Sequence, residues 1–223
     1  MIYERRAYVF RPGGAQGFLD AQPRWNTQDV FGPVLDTNLC YFHTLSGEAE
    51  TIVHLYRFAS VADWRERYAR FYAAQSPEYF ATVRPLMLRQ DAELFEPAPF
   101  APDTPLTSPH PSAAPLDPAT AVVVERCIDF LPGGLPAYTK ALADTGNPLA
   151  GPTLLGAMVS IIGRLHRVIW YHAHADAAAA DAHHTGLATE TLDRATAPWV
   201  AARHTTHLRP VALDSRRRLF HHS

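Results

Sequence analysis

Cysteine is nearly missing from this chain of 223 residues, with Cys40 and Cys127 its two thiols. Two cysteines cannot make a disulfide framework, and neither has a second thiol at metal-ligand spacing. An excess of one charge is missing too. Lys and Arg number 20 against 22 Asp and Glu, a formal net charge of -2, so nucleic acid has no general electrostatic reason to bind. The Arg216-Arg217-Arg218 tail is too short to change that. Long apolar runs are absent: Leu149 to Ile162 is broken by Gly151, Pro152, Gly156 and Ser160, so no membrane span is expected. Met1 to Arg6 lacks the apolar stretch of a secretory signal. A soluble, cytoplasmic protein is the expectation. No Gly-x-Gly-x-x-Gly or Walker pattern develops around Gly13-Gly14 or Gly133-Gly134, and Ser46, Ser60 and Ser160 have no nucleophile-elbow context. Nucleotide-dependent and hydrolytic chemistry are therefore not expected. What is present is apolar: 47% hydrophobic against 19% charged residues, enough for a core and too little charge for disorder.

Proline is concentrated rather than scarce. Positions 97, 99, 102, 105, 109, 111, 115 and 118 are all proline. Proline lacks the amide donor and fixes φ, so this stretch reads as an extended linker over 98–119 and not as an interior strand or helix. Its flanks resemble each other. Tyr8-Val9-Phe10-Arg11-Pro12-Gly13-Gly14 recurs as Ile128-Asp129-Phe130-Leu131-Pro132-Gly133-Gly134, 120 residues on. Gly32-Pro33-Val34-Leu35 recurs as Gly151-Pro152-Thr153-Leu154 at 119, and Ile52 to Tyr56 matches Arg167 to Tyr171 more weakly at 115. Ordered self-similarity at half the chain length indicates a duplicated domain. The expected division is 1–97, the linker, a diverged second copy over 120–213, and a flexible tail over 214–223.

Within the first copy, Ile2 to Arg11 alternates and reads as a strand ended by Pro12-Gly13-Gly14. Ala15 to Ala21 reads as a short helix bounded by Pro23. Leu39 to Thr44 and Thr51 to Phe58 suit an antiparallel hairpin. Ser60 can cap a helix with Asp63 placed for a return bond, and Val61, Trp64, Tyr68 and Phe71 share one face of it. Ser76-Pro77-Glu78 restarts a helical turn, and Leu86 to Phe95 is a fourth strand. The order β-α-β-β-α-β is the ferredoxin-like arrangement, with helices on one sheet face and the other bare. Two such units can bury their bare faces against each other and enclose a barrel-like interior. Whether the barrel closes within one chain or in a homodimer is left open by the linker.

Met1-Ile2-Tyr3-Glu4-Arg5-Arg6-Ala7-Tyr8 followed by Pro12-Gly13 resembles the opening of NIPSNAP-family domains. Tyr41-Phe42-His43-Thr44, Gly47, Val53-His54-Leu55-Tyr56 and Ser60 are similar to that family's middle hairpin, and Val83-Arg84-Pro85-Leu86 with Gln90 to its closing strand. The second copy keeps Arg126 and Pro132-Gly133-Gly134, but has Val123-Val124 for the Tyr-Glu pair and the alanines 177–180 where the first copy has Arg65 and Arg67. The resemblance implies an α+β fold of the dimeric α+β barrel type, built from two ferredoxin-like units. That fold is shared with cofactor-free monooxygenases, cyclases and heme-dependent enzymes, and it fixes no single activity.

Strand alternation puts Glu4, Arg6 and Tyr8 on one face of the first strand, and His54 and Tyr56 on one face of the third. Because helix-facing positions should be apolar, these five are expected to line the barrel interior, with Tyr41 and His43 near its mouth. Such a lining suits a small organic ligand, with His54 as a general base, Arg6 stabilising a developing enolate or carboxylate, and Tyr56 beside them. The alternative is a buried Glu4–Arg6 or Arg6–Tyr56 network that only satisfies charge. The functional expectation is a small-molecule-binding protein, a cofactor-independent monooxygenase, isomerase or cyclase. Its alternatives are a non-enzymatic binding or assembly module and a heme-binding barrel. Histidines 172, 174, 183, 184, 204 and 207 form no compact metal signature, and the segment around Asp176, Asp181 and His183 reads as a loop, so no metal and no cofactor are expected.

Overall fold

In the computed structural model, residues 1–25, 31–74, 77–108, 116–186, 189–211 and 219–220 are described. The first half runs β1 (Ile2–Phe10), α1 (Gly14–Trp25), α2 (Gly32–Leu35), β2 (Asn38–Thr44), β3 (Thr51–Phe58), α3 (Val61–Ala73), α4 (Pro77–Val83) and β4 (Met87–Pro97). The second runs β5 (Val122–Phe130), α5 (Gly134–Asp144), β6 (Leu154–Ile162), β7 (Arg167–His174), α6 (Ala177–Gly186), α7 (Glu190–Thr196) and β8 (Val200–Val211). Each half is thus a β-α-β-β-α-β unit with antiparallel strands. Their edges join, β2 to β8 and β4 to β6, and the eight strands close into one barrel, β1-β3-β2-β8-β5-β7-β6-β4. Closure within the chain leaves no unpaired sheet edge. Among the described residues, no helix is long and apolar enough to cross a membrane.

The repeated Pro-Gly-Gly turns have a physical cause in both halves. Gly13 and Gly133 adopt φ of +74° and +85°, the left-handed region that glycine enters without a Cβ penalty. A Cβ on Gly14 would lie 3.0 Å from Phe10 Cβ and from the Leu86 carbonyl oxygen, and one on Gly134 3.0 Å from Phe130 Cβ and Trp199 Cβ. The strand pairings place Glu4 opposite Tyr56 and Arg6 opposite His54 in the first half, Val124 opposite His172 and Arg126 opposite Trp170 in the second. The hairpin is therefore offset by 116 residues, one more than the sequence match suggests. The Gly-Pro match is not equivalent at all: Gly32–Leu35 is the helix α2, whereas Leu154 already begins β6. Helix caps follow the 116 offset. Ser60 accepts a hydrogen bond from Asp63 N, and Asp63 takes the Ala59 N–H in return; Asp176 accepts from Ala179 N. The segment expected to be a loop around Asp176, Asp181 and His183 is the capped helix α6, because the alanine run favours helix once Asp176 starts it.

Helix α1 extends past Pro23 to Trp25; a proline in a last turn costs less than one in the middle, since few bonds remain to be broken. Ser76 lies outside the described residues, while Pro77 starts α4.

The linker and the tail are more than connectors. Leu106 is buried at one end of the barrel, its N–H donating to Leu155 O, while its own carbonyl accepts from the Tyr3 hydroxyl. Gly156 makes room, since a Cβ there would lie 2.6 Å from Leu106 Cδ1. Leu219, in the stretch expected to be a loose tail, donates its N–H to Leu39 O and is buried with Phe220 against the same core. Leu39 and Leu155 are equivalent at the 116 offset, so the chain after β4 and the chain after β8 stop the same end of the barrel in the same way. The apolar side chains of Leu219 and Phe220 override the basic stretch before them. That stretch (212–218), His221-His222 and linker residues 109–115 lie outside the described residues.

Candidate functional site

The barrel interior holds Tyr3, Ala7, Phe42, Val53, Leu55, Cys127, Ile169 and Tyr171. His54 and Tyr56 are on the opposite side of β3, and Glu4, Arg6 and Tyr8 on the opposite side of β1. They face the helices, which corrects the expectation that they line the barrel. A period of two separates faces but does not say which one is covered by helices. The rule that helix-facing positions are apolar fails here because these polar groups satisfy one another.

The barrel interior has its own polar layer. Arg5 donates through Nε and Nη2 to the two oxygens of Glu125, at 2.8 Å each, and the Tyr171 hydroxyl donates to Glu125 at 2.8 Å. Burial works against the Glu125 charge, but Arg5 and these bonds outweigh it and hold its carboxyl below the usual range. Beyond this layer a cavity of about 740 Å³ opens at the end away from Leu106, lined by Arg5, Arg89, Arg164 and Arg167. Each of these guanidiniums is matched to carboxylate: Arg5 to Glu125, Arg89 to Asp91 and Glu48, Arg164 to Asp129, and Arg167 to Asp129 and Glu93. It is a lattice of ion pairs joining the halves.

The sequence-derived candidates meet elsewhere, between sheet and helices of the first half. A cavity of about 130 Å³ is lined by Arg6, Tyr8, Tyr41, His54 and Tyr56. Glu4 lies just behind, fully buried. Arg6 Nε donates to Glu4 Oε1 at 2.8 Å, and the Tyr68 hydroxyl donates to Glu4 Oε2 at 2.7 Å. The Arg6 guanidinium lies 4.2 Å over the Tyr68 ring, a favourable stacking for a cation. Its Nη1 reaches the Tyr8 hydroxyl oxygen at 3.4 Å. His54 Nδ1 and the Tyr56 hydroxyl share a hydrogen bond of 2.9 Å, and the imidazole is packed among Tyr8, Tyr41 and Phe18. His43 is on the same face of β2 as Tyr41 but half-buried, and it is not in the cavity lining.

Burial holds Tyr8, Tyr56 and Tyr68 above the ordinary phenol range, so their hydroxyls stay protonated and can donate. Burial opposes the Arg6 charge, but Tyr8, Tyr68 and Glu4 around it more than compensate and keep it cationic. The lining therefore presents a fixed cation, protonated phenols and an imidazole inside an aromatic shell. Such a site accepts an uncharged or anionic oxygen and has little to offer a cation.

Tyr68, Gln22, Tyr79 and Arg84 also line the cavity, and none was a candidate from sequence. Tyr68 carried the one usable signal, its place on the inward face of α3. Gln22, bonded to the Tyr79 hydroxyl at 2.9 Å, could not be found without knowing how α1 meets α4. A planar macrocycle does not fit a cavity of about 130 Å³, so this cavity does not suit heme. Among the described residues, no group of three or more His, Cys, Asp or Glu is arranged to hold a metal ion.

A family model described as NIPSNAP matches residues 3–102. A NIPSNAP-like domain protein from Burkholderia xenovorans is 31% identical over 46% of this chain and 89% of its own, with a TM-score of 0.40. A candidate monooxygenase from Fusobacterium nucleatum covers 98% of this chain and 95% of its own at 10% identity, with a TM-score of 0.65. An anthrone oxidase-like protein covers 95% and 91% at 12% identity, with a TM-score of 0.61. The last two share the fold across both halves. No curated protein matches the chain.

Proposed function

Because this chain belongs to the NIPSNAP family, we propose that its first half binds a small organic molecule bearing a ketone or phenol oxygen, in the cavity between helices and sheet. The tandem barrel is then the single-chain form of a dimeric α+β barrel, and only its first half carries the chemistry. The observation behind this is the grouping of Arg6, Tyr8, His54 and Tyr56 around one small cavity. The Tyr8 hydroxyl accepts from Arg6 and keeps its own proton to donate to a ligand oxygen. Arg6 and Tyr8 together stabilise negative charge on that oxygen as an enolate or phenolate forms. His54 is the base that takes the proton, and Tyr56 orients its ring. Returning the proton at another carbon makes the site an isomerase, and attack of the enolate carbon on a second carbonyl of the same molecule, whose oxygen then takes the proton, makes it a cyclase. Passing electrons from the enolate to dioxygen makes it a cofactor-independent monooxygenase, the class that the candidate monooxygenase and the anthrone oxidase-like protein suggest.

The test uses aryl ketones, from single-ring hydroxyacetophenones to anthrone, with binding followed by thermal shift and turnover by solvent deuterium exchange and dioxygen uptake. His54→Phe and Tyr8→Phe are expected to lose turnover. Their melting curves should move by no more than about 4 °C, the shift of roughly 1 kcal/mol in a chain of this size. Full activity in His54→Phe removes the proposal. Binding without exchange or uptake in the native protein favours the non-enzymatic reading, in which the closed Glu4–Arg6–Tyr68 network is scaffold.

A further inference from the structure

The second half has its own cavity between sheet and helices, of about 240 Å³, lined by Arg126, Tyr138, Leu192, Asp193 and Arg203 among others. Arg126 occupies on β5 the place of Arg6 on β1, with the same partner position on the neighbouring strand. Its surroundings differ in one decisive way. Where Arg6 has Glu4 as counter-ion, Arg126 has Val124, and among the described residues it makes no ion pair. One of its nitrogens, Nη2, is 3.0 Å from His184 Nδ1, and His184 stands 116 residues after Tyr68, the ring that covers Arg6. The single carboxylate of the cavity, Asp193, is taken by Arg203 at 3.1 Å and by the Thr189 hydroxyl at 2.9 Å. Tyr138, 1% exposed, accepts a hydrogen bond from Trp170 Nε1 at 2.9 Å and has no acceptor for its own proton among the described residues.

Two guanidiniums against one carboxylate leave the cavity electropositive. Burial, and beyond it the charge of Arg203, weaken Arg126's hold on its proton, with Asp193 and Tyr138 partly opposing; a guanidinium nevertheless stays charged in a protein. A half-buried cation without a counter-ion is costly unless something supplies one. Bidentate recognition of a planar oxyanion is what a guanidinium does best.

We propose that this second cavity is an anion site, in which Arg126, Arg203 and the Tyr138 hydroxyl bind the carboxylate or phosphate group of a small organic acid. Ile128, Leu149 and Leu192 line the rest of the cavity and take the apolar body of that ligand. The site is separate from the first-half cavity and does not depend on its chemistry.

Thermal melts of the full chain in benzoate, in inorganic phosphate and in chloride at equal ionic strength test this. The expected result is a rise of about 2–4 °C in Tm over chloride once the anion is a few-fold above its Kd. A larger effect of benzoate assigns an organic carboxylate, and a larger effect of phosphate assigns a phosphate ester. Arg126→Gln should abolish the shift, as should Val124→Glu, which restores the counter-ion of the first half. His54→Phe should leave it intact. If Arg126→Gln does not fold, the partly exposed Arg203→Gln takes its place in the comparison. An equal response to chloride, or a shift that survives loss of Arg126 or Arg203, overturns the proposal.

Discussion

The two halves share a backbone and differ in how each treats the same arginine. In the first, Arg6 is neutralised by Glu4, covered by Tyr68 and placed beside the His54–Tyr56 pair. In the second, the equivalent positions hold Arg126, Val124, His184, Trp170 and His172. Trp170 fills the place of His54, stacks on Phe100 from the linker and is fully buried. One half therefore keeps its charge balanced internally and arranges donors around a small cavity, while the other leaves a cation open to a larger one. The difference shows how two halves of the same topology can treat one buried charge in opposite ways. An arginine whose charge is already balanced within the fold can serve a ligand's oxygen only through its spare nitrogens. One without a counter-ion can bind the whole anionic group.

Two unlike halves in one chain also allow what a symmetric pair of identical chains cannot. Positions 5 and 125 are equivalent by the 120-residue offset, and they face each other across the barrel as Arg and Glu at 2.8 Å. Two identical copies would bring like charges together there, which is unfavourable in a buried setting. The first-half and second-half sequences must therefore stay different at this layer.

The largest break in the comparison should come from Glu4→Ala. It leaves Arg6 a buried cation without its partner, the state Arg126 already occupies with more room and more solvent. A loss of about 3–5 kcal/mol in urea unfolding is expected. A loss under about 1 kcal/mol would mean that the two arginines are equally well accommodated, and the contrast between the halves would fail.

Acid should act through the second half. Burial pushes His172 down to about 4, with the Leu149 carbonyl opposing and His183 adding to the effect; burial and His183 likewise push His174 down to about 4. An unfolded histidine titrates near 6.5. Between these values the unfolded chain binds more protons than the native one, so stability is full above about pH 6.5 and falls as pH drops towards 4. The decline should be on the order of 3 kcal/mol for each of the two histidines, followed by urea unfolding at successive pH. His172→Gln combined with His174→Gln should flatten the profile, and an unchanged slope would place the titration elsewhere.

The smallest effect sharpens the likeness rather than the difference. Ser60→Ala and Asp176→Ala remove equivalent helix caps, and each should cost about 1 kcal/mol. A much larger loss for one would show that α3 and α6 are not equivalent in the energetics of their halves.

Much of this is legible in the sequence. The alternation of Ile2 to Phe10, the Pro-Gly-Gly turns and the helix start at Ser60 follow from local rules of φ, capping and period, and they are where the strands, turns and helices fall. The five polar candidates that line or back the first cavity were identified together because they share strand faces. Their side of the sheet was misassigned, since nothing local distinguishes a polar cluster that satisfies itself under helices from one that lines a barrel. Linker and tail read as connectors in the sequence because proline and arginine dominate them, and Leu106, Leu219 and Phe220 are single apolar side chains whose burial depends on where the barrel end lies.

What the chain by itself determined is therefore short-range: where most strands and turns fall, the likeness between its two halves, and which residues travel together on one face. Tertiary structure alone decided which face meets helices, that the edges of both halves pair into a closed barrel, that Arg5 finds Glu125, and that Arg126 finds no carboxylate among the described residues. The reason is physical. Backbone conformation and periodicity are set within a few residues, whereas the partner of a buried charge is set by what the rest of the fold brings within about 3 Å of it.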